Sequence, residues 1–77
     1  MGGEKLPLLT ARELITVLKR LGFEEAHRRG SHRTFKRAAD KHRATIPVHP
    51  GHTLKKGLLR GILNDIGIAV EELNRLR

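Results

Sequence analysis

"GSHRTFKRAADKHRATIPVH", residues 30–49, is the stretch on which the fold turns. Two runs in it, HRTFKR (32–37) and HRATIPVH (42–49), alternate apolar and polar side chains on either side of AADK, the period-two pattern of half-buried strands. With Phe35 turned to the core, Arg33 and Arg37 share its side, and His32, Thr34 and Lys36 take the other. In the second run Ala44, Ile46 and Val48 face inward, leaving Arg43, Thr45, Pro47 and His49 outward. Pro47 has no amide hydrogen for a ladder, which places it at an edge or a strand end.

Working outward, FEEAHRR (23–29) is a third strand closed by Gly30, with a weaker signal because Glu and Ala are poor strand residues. Upstream of it, TARELITVLKRLG predicts a helix over Thr10 to Leu21. Thr10 and Glu13 make a capping box, Leu9 and Leu14 a hydrophobic staple, and Gly22 the stop. Downstream, LKKGLLRGILNDIG (54–67) predicts a second helix with Leu58, Leu59, Ile62, Leu63 and Ile66 on one face and Gly67 as its stop. Gly57 and Gly61 in its interior cost about 1 kcal/mol each against alanine. Four apart, they mark a stripe where another backbone can approach. AVEELNRLR (69–77) is a short terminal helix, uncapped because Ala69 has no side-chain acceptor.

The order α-β-β-β-α-α describes an α+β fold: a three-stranded antiparallel sheet with helices packed on one face and the other face open to water. The chain is expected to be a single domain, residues 1–77, with 1–8 flexible. The open face would carry His32, Thr34, Lys36, Arg43, Thr45 and His49.

Charge then points to a partner. Sixteen Lys and Arg stand against eight Asp and Glu, a net +8. Residues 27–60 hold ten basic side chains and one acid, Asp40, whereas the flanks together are slightly acidic. A localised basic patch of this kind attracts phosphate backbones. There is no Trp or Tyr, and Phe23 and Phe35 are claimed by the core, so a reader that stacks bases on aromatic platforms does not fit. Backbone and shape recognition fits better. With no cysteine there are no disulfides or thiolate metal sites, consistent with a reducing, cytoplasmic setting. No apolar run approaches the length needed to span a bilayer.

RNA carries its own nucleophile, the 2′-hydroxyl beside each phosphate. Cleavage needs a base for that proton, an acid for the leaving oxygen, and positive charge for the phosphorane. Histidine can serve as either acid or base, and neighbouring cations favour its neutral form. His32, after a turn-forming Gly30 and among Arg and Lys, has the company such a reaction needs. A lone histidine on an exposed strand is equally consistent with a non-catalytic RNA-binding module, the alternative function. A DNA reader would need basic or amide residues on an exposed helix face, where the second helix offers mainly apolar ones. His49 and His52 have metal-compatible spacing but no cysteine or acid nearby to complete a set. His49 is also a candidate second acid–base group, while His27 and His42 read as solvated or phosphate-contacting. Lys55, Lys56 and Arg60 at the start of the second helix could hold a phosphate.

The succession LKRLGFEEAHRRGSHRTFKR, TIPVHPGHTLKKGLLRGILNDIGI and VEEL resembles the HicA toxins of prokaryotic toxin–antitoxin pairs, from about Leu9 to Leu73. The G-S-H step after a helix stop, the T-[IV]-P-x-H strand and the helix LLRGILNDIGI carry the likeness. The resemblance implies a double-stranded-RNA-binding-like (dsRBD-like) α-β-β-β-α fold and a metal-independent mRNA interferase that stops translation. No cofactor is implied. Its catalytic histidine falls on His32. Ser31, Lys36, Arg43, Lys55, Lys56 and Arg60 are then the expected phosphate contacts, and Gly30, Thr45 and His49 the candidates to assist. A HicB antitoxin is the expected protein partner, covering the active surface. The chain departs from the family pattern at the start of the second helix and in the AADK turn, neither of which touches His32.

Overall fold

The computed structural model describes residues 5–77. In chain order the elements are α1 (Ala11–Arg20), β1 (Glu24–Arg29), β2 (His32–Lys36), β3 (Arg43–Pro47), α2 (Lys56–Ile66) and α3 (Val70–Leu76). The three strands form one antiparallel sheet in the order β1-β2-β3, as the α+β reading expected. Of the segment expected to be flexible, residues 1–4 lie outside the described residues, and Leu6 packs half-buried against the core.

α1 begins and ends where its punctuation places it. Thr10 Oγ1 accepts the Glu13 amide at 3.2 Å, and Glu13 Oε1 accepts the Thr10 amide at 2.8 Å, a reciprocal capping box. At the other end the Phe23 amide reaches back to the Leu18 carbonyl at 2.9 Å, and Phe23 and Leu18 are both buried. α2 closes likewise at Gly67, whose φ of 76° is left-handed and lets the Ile68 amide bond to Leu63. Ala69 gives α3 no side-chain cap. Leu73 is nonetheless fully buried, and Arg20 of α1 donates to the Leu76 carbonyl, so tertiary contacts hold this short helix in place.

The core lies between the helices and one sheet face: Leu14, Leu18, Phe35, Ile46, Leu59, Ile66 and Leu73 have no exposed surface. The inward set Ala44, Ile46 and Val48 is as the alternation predicts, and Pro47 ends β3 on an edge strand. Gly57 and Gly61 differ from expectation. A Cβ at either would meet open space, so among the described residues no other element approaches them.

Two features of the sheet were not visible in the alternation. The β1–β2 register shifts between Glu25 and His27, leaving Ala26 as the extra residue of a bulge. The shift reverses the facing of the later β1 residues. Glu25 opposes Phe35 on the helix side, whereas His27 opposes Thr34 and Arg29 opposes His32 on the open side. The second feature concerns the cations on the helix side, which are paired. Glu25 receives Arg33 at 2.7 Å and Arg28 at 2.9 Å, and the Arg33 guanidinium lies 5.7 Å from the Phe35 ring centre. Arg37 bonds to Asp40 at 2.6 Å and to the Leu21 carbonyl at 2.9 Å, over the face of Phe23. Asp40 also accepts the His42 amide, which tightens the β2–β3 turn around a left-handed Lys41. The His42 Nδ1 lies 3.0 Å from Asp40 without making a hydrogen bond.

These pairs give the fold an acid limit. Hydrogen bonds from Arg33 and then Arg28 hold Glu25 at about 2, below its ordinary 4.5. Arg37 holds Asp40 at about 2 against 3.8. Both pKa values are depressed on folding, so the stability they contribute is complete above the unfolded values and is lost as pH falls toward 2. The melting temperature should therefore drop between about pH 4.5 and 2, and Glu25→Gln with Asp40→Asn should flatten that slope. At α2, Gly61→Ala should stabilise by up to about 1 kcal/mol, since its methyl meets no neighbour. Gly67→Ala should destabilise by about 1–2 kcal/mol or more: it strains a left-handed residue and brings Cβ to 3.0 Å from His42 Cε1. Urea denaturation of the variants measures both.

Candidate nucleic-acid interface

Gly30 and Ser31 form the two-residue link between Arg29 and His32. Gly30 has φ 59° and Ser31 has no positive φ, the pattern of a hairpin turn with glycine at its first central position. A Cβ on Gly30 would touch nothing, so the backbone dihedral alone asks for glycine. The G-S-H step is thus a tight turn followed by the first residue of β2. His32 is exposed there, beside the turn.

Hydrogen-bond parity sets how closely the open-face side chains approach. The Arg37 amide bonds to the His42 carbonyl at 3.0 Å, and the Val48 amide to the Ser31 carbonyl at 2.8 Å. Pairs in step with these, Phe35 with Ala44 and Arg33 with Ile46, are the hydrogen-bonded ones and face the core. The rows between them face outward: Arg29–His32–Pro47, His27–Thr34–Thr45 and Glu24–Lys36–Arg43. Their β2–β3 pairs are the close kind, with Cα atoms about 4.5 Å apart, whereas on the β1 side the same β2 residues make the hydrogen-bonded, wider pairs. The hydroxyls of Thr34 and Thr45 meet at 2.9 Å in the middle row. Thr34, flanked on both sides, is 6% exposed although it sits on the open face.

The sequence-predicted residues divide by position. His32, Ser31, Gly30 and Thr45 lie together at or next to the turn end of the open face. Lys36 is four residues along β2 from His32, about 13 Å at 3.3 Å per residue, with Arg43 opposite it. Those two therefore lie apart from His32, with exposed Glu24 in the same row. His49 is two residues beyond Pro47 and starts the turn to α2, its carbonyl accepting the His52 amide at 3.1 Å. Lys55 is the N-cap residue of α2 and makes no side-chain cap. Lys56 and Arg60, four apart, share a flank of α2, and Arg60 lines the notch toward α3 with Asn64 and Val70.

One residue was missed. Arg29 stands directly opposite His32 on the open face, exposed and without an ion pair among the described residues. Its signal was present: a two-residue turn at Gly30–Ser31 necessarily pairs position 29 with 32. Arg28, Arg33 and Arg37 show the converse, being basic residues of the patch engaged by Glu25 and Asp40. The outward groups that remain are His27, Arg29, His32, Lys36 and Arg43, an array of cations and two imidazoles of the kind that suits an extended polyanion. Among the described residues no three of His, Cys, Asp and Glu gather as a metal-binding group, and no helix is long and apolar enough to cross a membrane.

No curated protein matches the chain. The family model of the HicA toxin of bacterial toxin–antitoxin systems matches residues 11–68, from the first residue of α1 to just past the end of α2. That span includes the whole sheet and every residue of the outward array, and on it the chain belongs to the HicA toxin family.

Proposed function

We propose that the chain is a metal-independent endoribonuclease that cleaves mRNA and thereby inhibits translation in the cytoplasm. The observation that carries this reading is the row Arg29–His32–Pro47, which sets an exposed imidazole directly beside an unpaired guanidinium at a tight turn. In the reaction the 2′-oxygen attacks the adjacent phosphorus, its proton passes to a base, and the 5′-oxygen leaves with a proton from an acid. His32 serves as the acid or the base. Arg29 steadies the negative charge that builds on the phosphorane oxygens. Since RNA supplies the nucleophile, no step calls for a metal.

Lys36 and Arg43 hold the backbone farther along the same face, while Ser31 and Lys55 flank the reacting phosphate. Lys56 contributes at the helix start. Membership of the family implies a HicB-type antitoxin as the partner. A protein that covered the open face would bury His32 and the cationic rows together, which accounts for neutralisation.

His32→Ala should abolish cleavage of RNA in excess EDTA while changing stability by no more than about 0.5 kcal/mol, because the residue is exposed. Cleavage that persisted in the variant would remove His32 from the reaction. Intact RNA with wild type and variant alike, with salt-sensitive binding retained, would make the chain a binding module. Arg29→Ala and Lys36→Ala should each reduce the slope of log affinity against log salt by about 0.7 for single-stranded RNA. Arg33→Ala, which removes a core-side pair, should lower the melting temperature and leave that slope alone.

A further inference from the structure

The segment between β3 and α2 is held at both ends. His49-Pro50-Gly51-His52 closes a turn with the His52 amide on the His49 carbonyl, Pro50 at its second position and Gly51 at φ 81° at its third. Two residues on, the Leu54 amide bonds to the Leu9 carbonyl at 2.7 Å, and Thr53 bridges Thr10. Between these anchors the chain bounds a cavity of about 430 Å³. That is within the range of about 300–1,000 Å³ typical of small-molecule sites.

Its lining has a definite chemistry. Pro47, Leu54 and Leu58 supply apolar walls, His49 and His52 supply groups that donate or accept hydrogen bonds, and Lys55 supplies a cation. No carboxylate lines it, in contrast to the hollow beside α2, which has Asp65, and the one on β1, which has Glu24 and Glu25. Leu58 is 40% exposed, an uncovered apolar side chain on a basic surface. Pro47 is at once a wall of this cavity and the cross-strand neighbour of His32.

We infer that this cavity seats one nucleoside of the RNA, next to the phosphate that reacts at His32. The base lies against Leu58 and Pro47, His49 and His52 meet its edge, and Lys55 meets the adjoining phosphate. The inference rests on the ribonuclease reading and deepens it by assigning a substrate subsite. Because both anchors are made within the chain, the seat is formed before RNA arrives and little ordering opposes binding. A base held there by apolar contact needs no aromatic platform, in keeping with a chain whose two phenylalanines are both buried.

The test is a methyl and imidazole NMR titration of the full chain with AMP, GMP, CMP and UMP, beside ribose 5-phosphate at equal concentration. The Leu54 and Leu58 methyl signals and the His49 and His52 ring signals should move with at least one nucleotide and not with ribose 5-phosphate. Unmoved methyls, or equal movement with ribose 5-phosphate, would overturn the subsite. Leu58→Glu, which sets a carboxylate where the base lies at a position exposed enough to tolerate it, should remove the shifts and lower kcat/KM for RNA by about tenfold or more, the scale of one base contact. RNA cleavage in EDTA is scored separately in the wild type. Shifts without cleavage would uphold the nucleotide seat and sink the ribonuclease reading, whereas cleavage without shifts would do the reverse.

Discussion

Burial of the Phe35 ring sets the two sides of the sheet apart, and the remaining assignments depend on it. A three-stranded sheet can cover one face with its helices and must leave the other in water. Phe35 has no exposed surface, so His32, Thr34 and Lys36, each an odd number of residues away, are turned to the open face by the strand period alone. Ala44 and Ile46 agree with it across the ladder, which makes a one-residue slip of β3 costly: it would expose Ile46 and bury Arg43. The same register brings Pro47 alongside His32.

The charges are sorted by face. On the helix side each guanidinium has a carboxylate, with Glu25 serving Arg28 and Arg33, and Asp40 serving Arg37. Arg33 and Arg37 also lie over Phe35 and Phe23, so their planar groups work as packing as well as charge. On the open side Arg29, Lys36 and Arg43 are left to solvent. A net +8 is therefore not a uniform property of the surface; the free positive charge of the sheet is the part the fold has not already neutralised.

Much of this was legible in the chain. α1 carried its own start and stop signals, β2 and β3 showed clean alternation, and Pro47 announced an edge. The bulge at Ala26 was not legible, because EEAHRR has neither a glycine nor an alternation whose interruption would show. Arg29 on the open face was legible all the same, from the two-residue turn that pairs it with His32, and was overlooked. Arg60 was expected at the start of the second helix with Lys55 and Lys56; in the fold it lines the notch toward α3, a position that nearness in sequence did not reveal. The stripe of Gly57 and Gly61 promised a close neighbour and met open space, since glycine reports what a backbone tolerates and not what is there. The exposed place of His32 beside a tight turn was legible in G-S-H and the strand alternation; which cations stay unpaired around it required the register.

The tight turn at Gly30–Ser31 also bears on how the molecule assembles. Residues 29 and 32 meet after closing a loop of two residues, whereas the bond from Arg20 to Leu76 spans 56 positions. Loop-closure entropy rises with that separation, so the contacts that make the outward face are among the least costly in the chain and the docking of α3 among the most costly. Local opening should accordingly begin at the C-terminal helix, with slow hydrogen exchange persisting longest in the β2 ladder. The turn end of the open face is then expected to be among the last parts of the molecule to open.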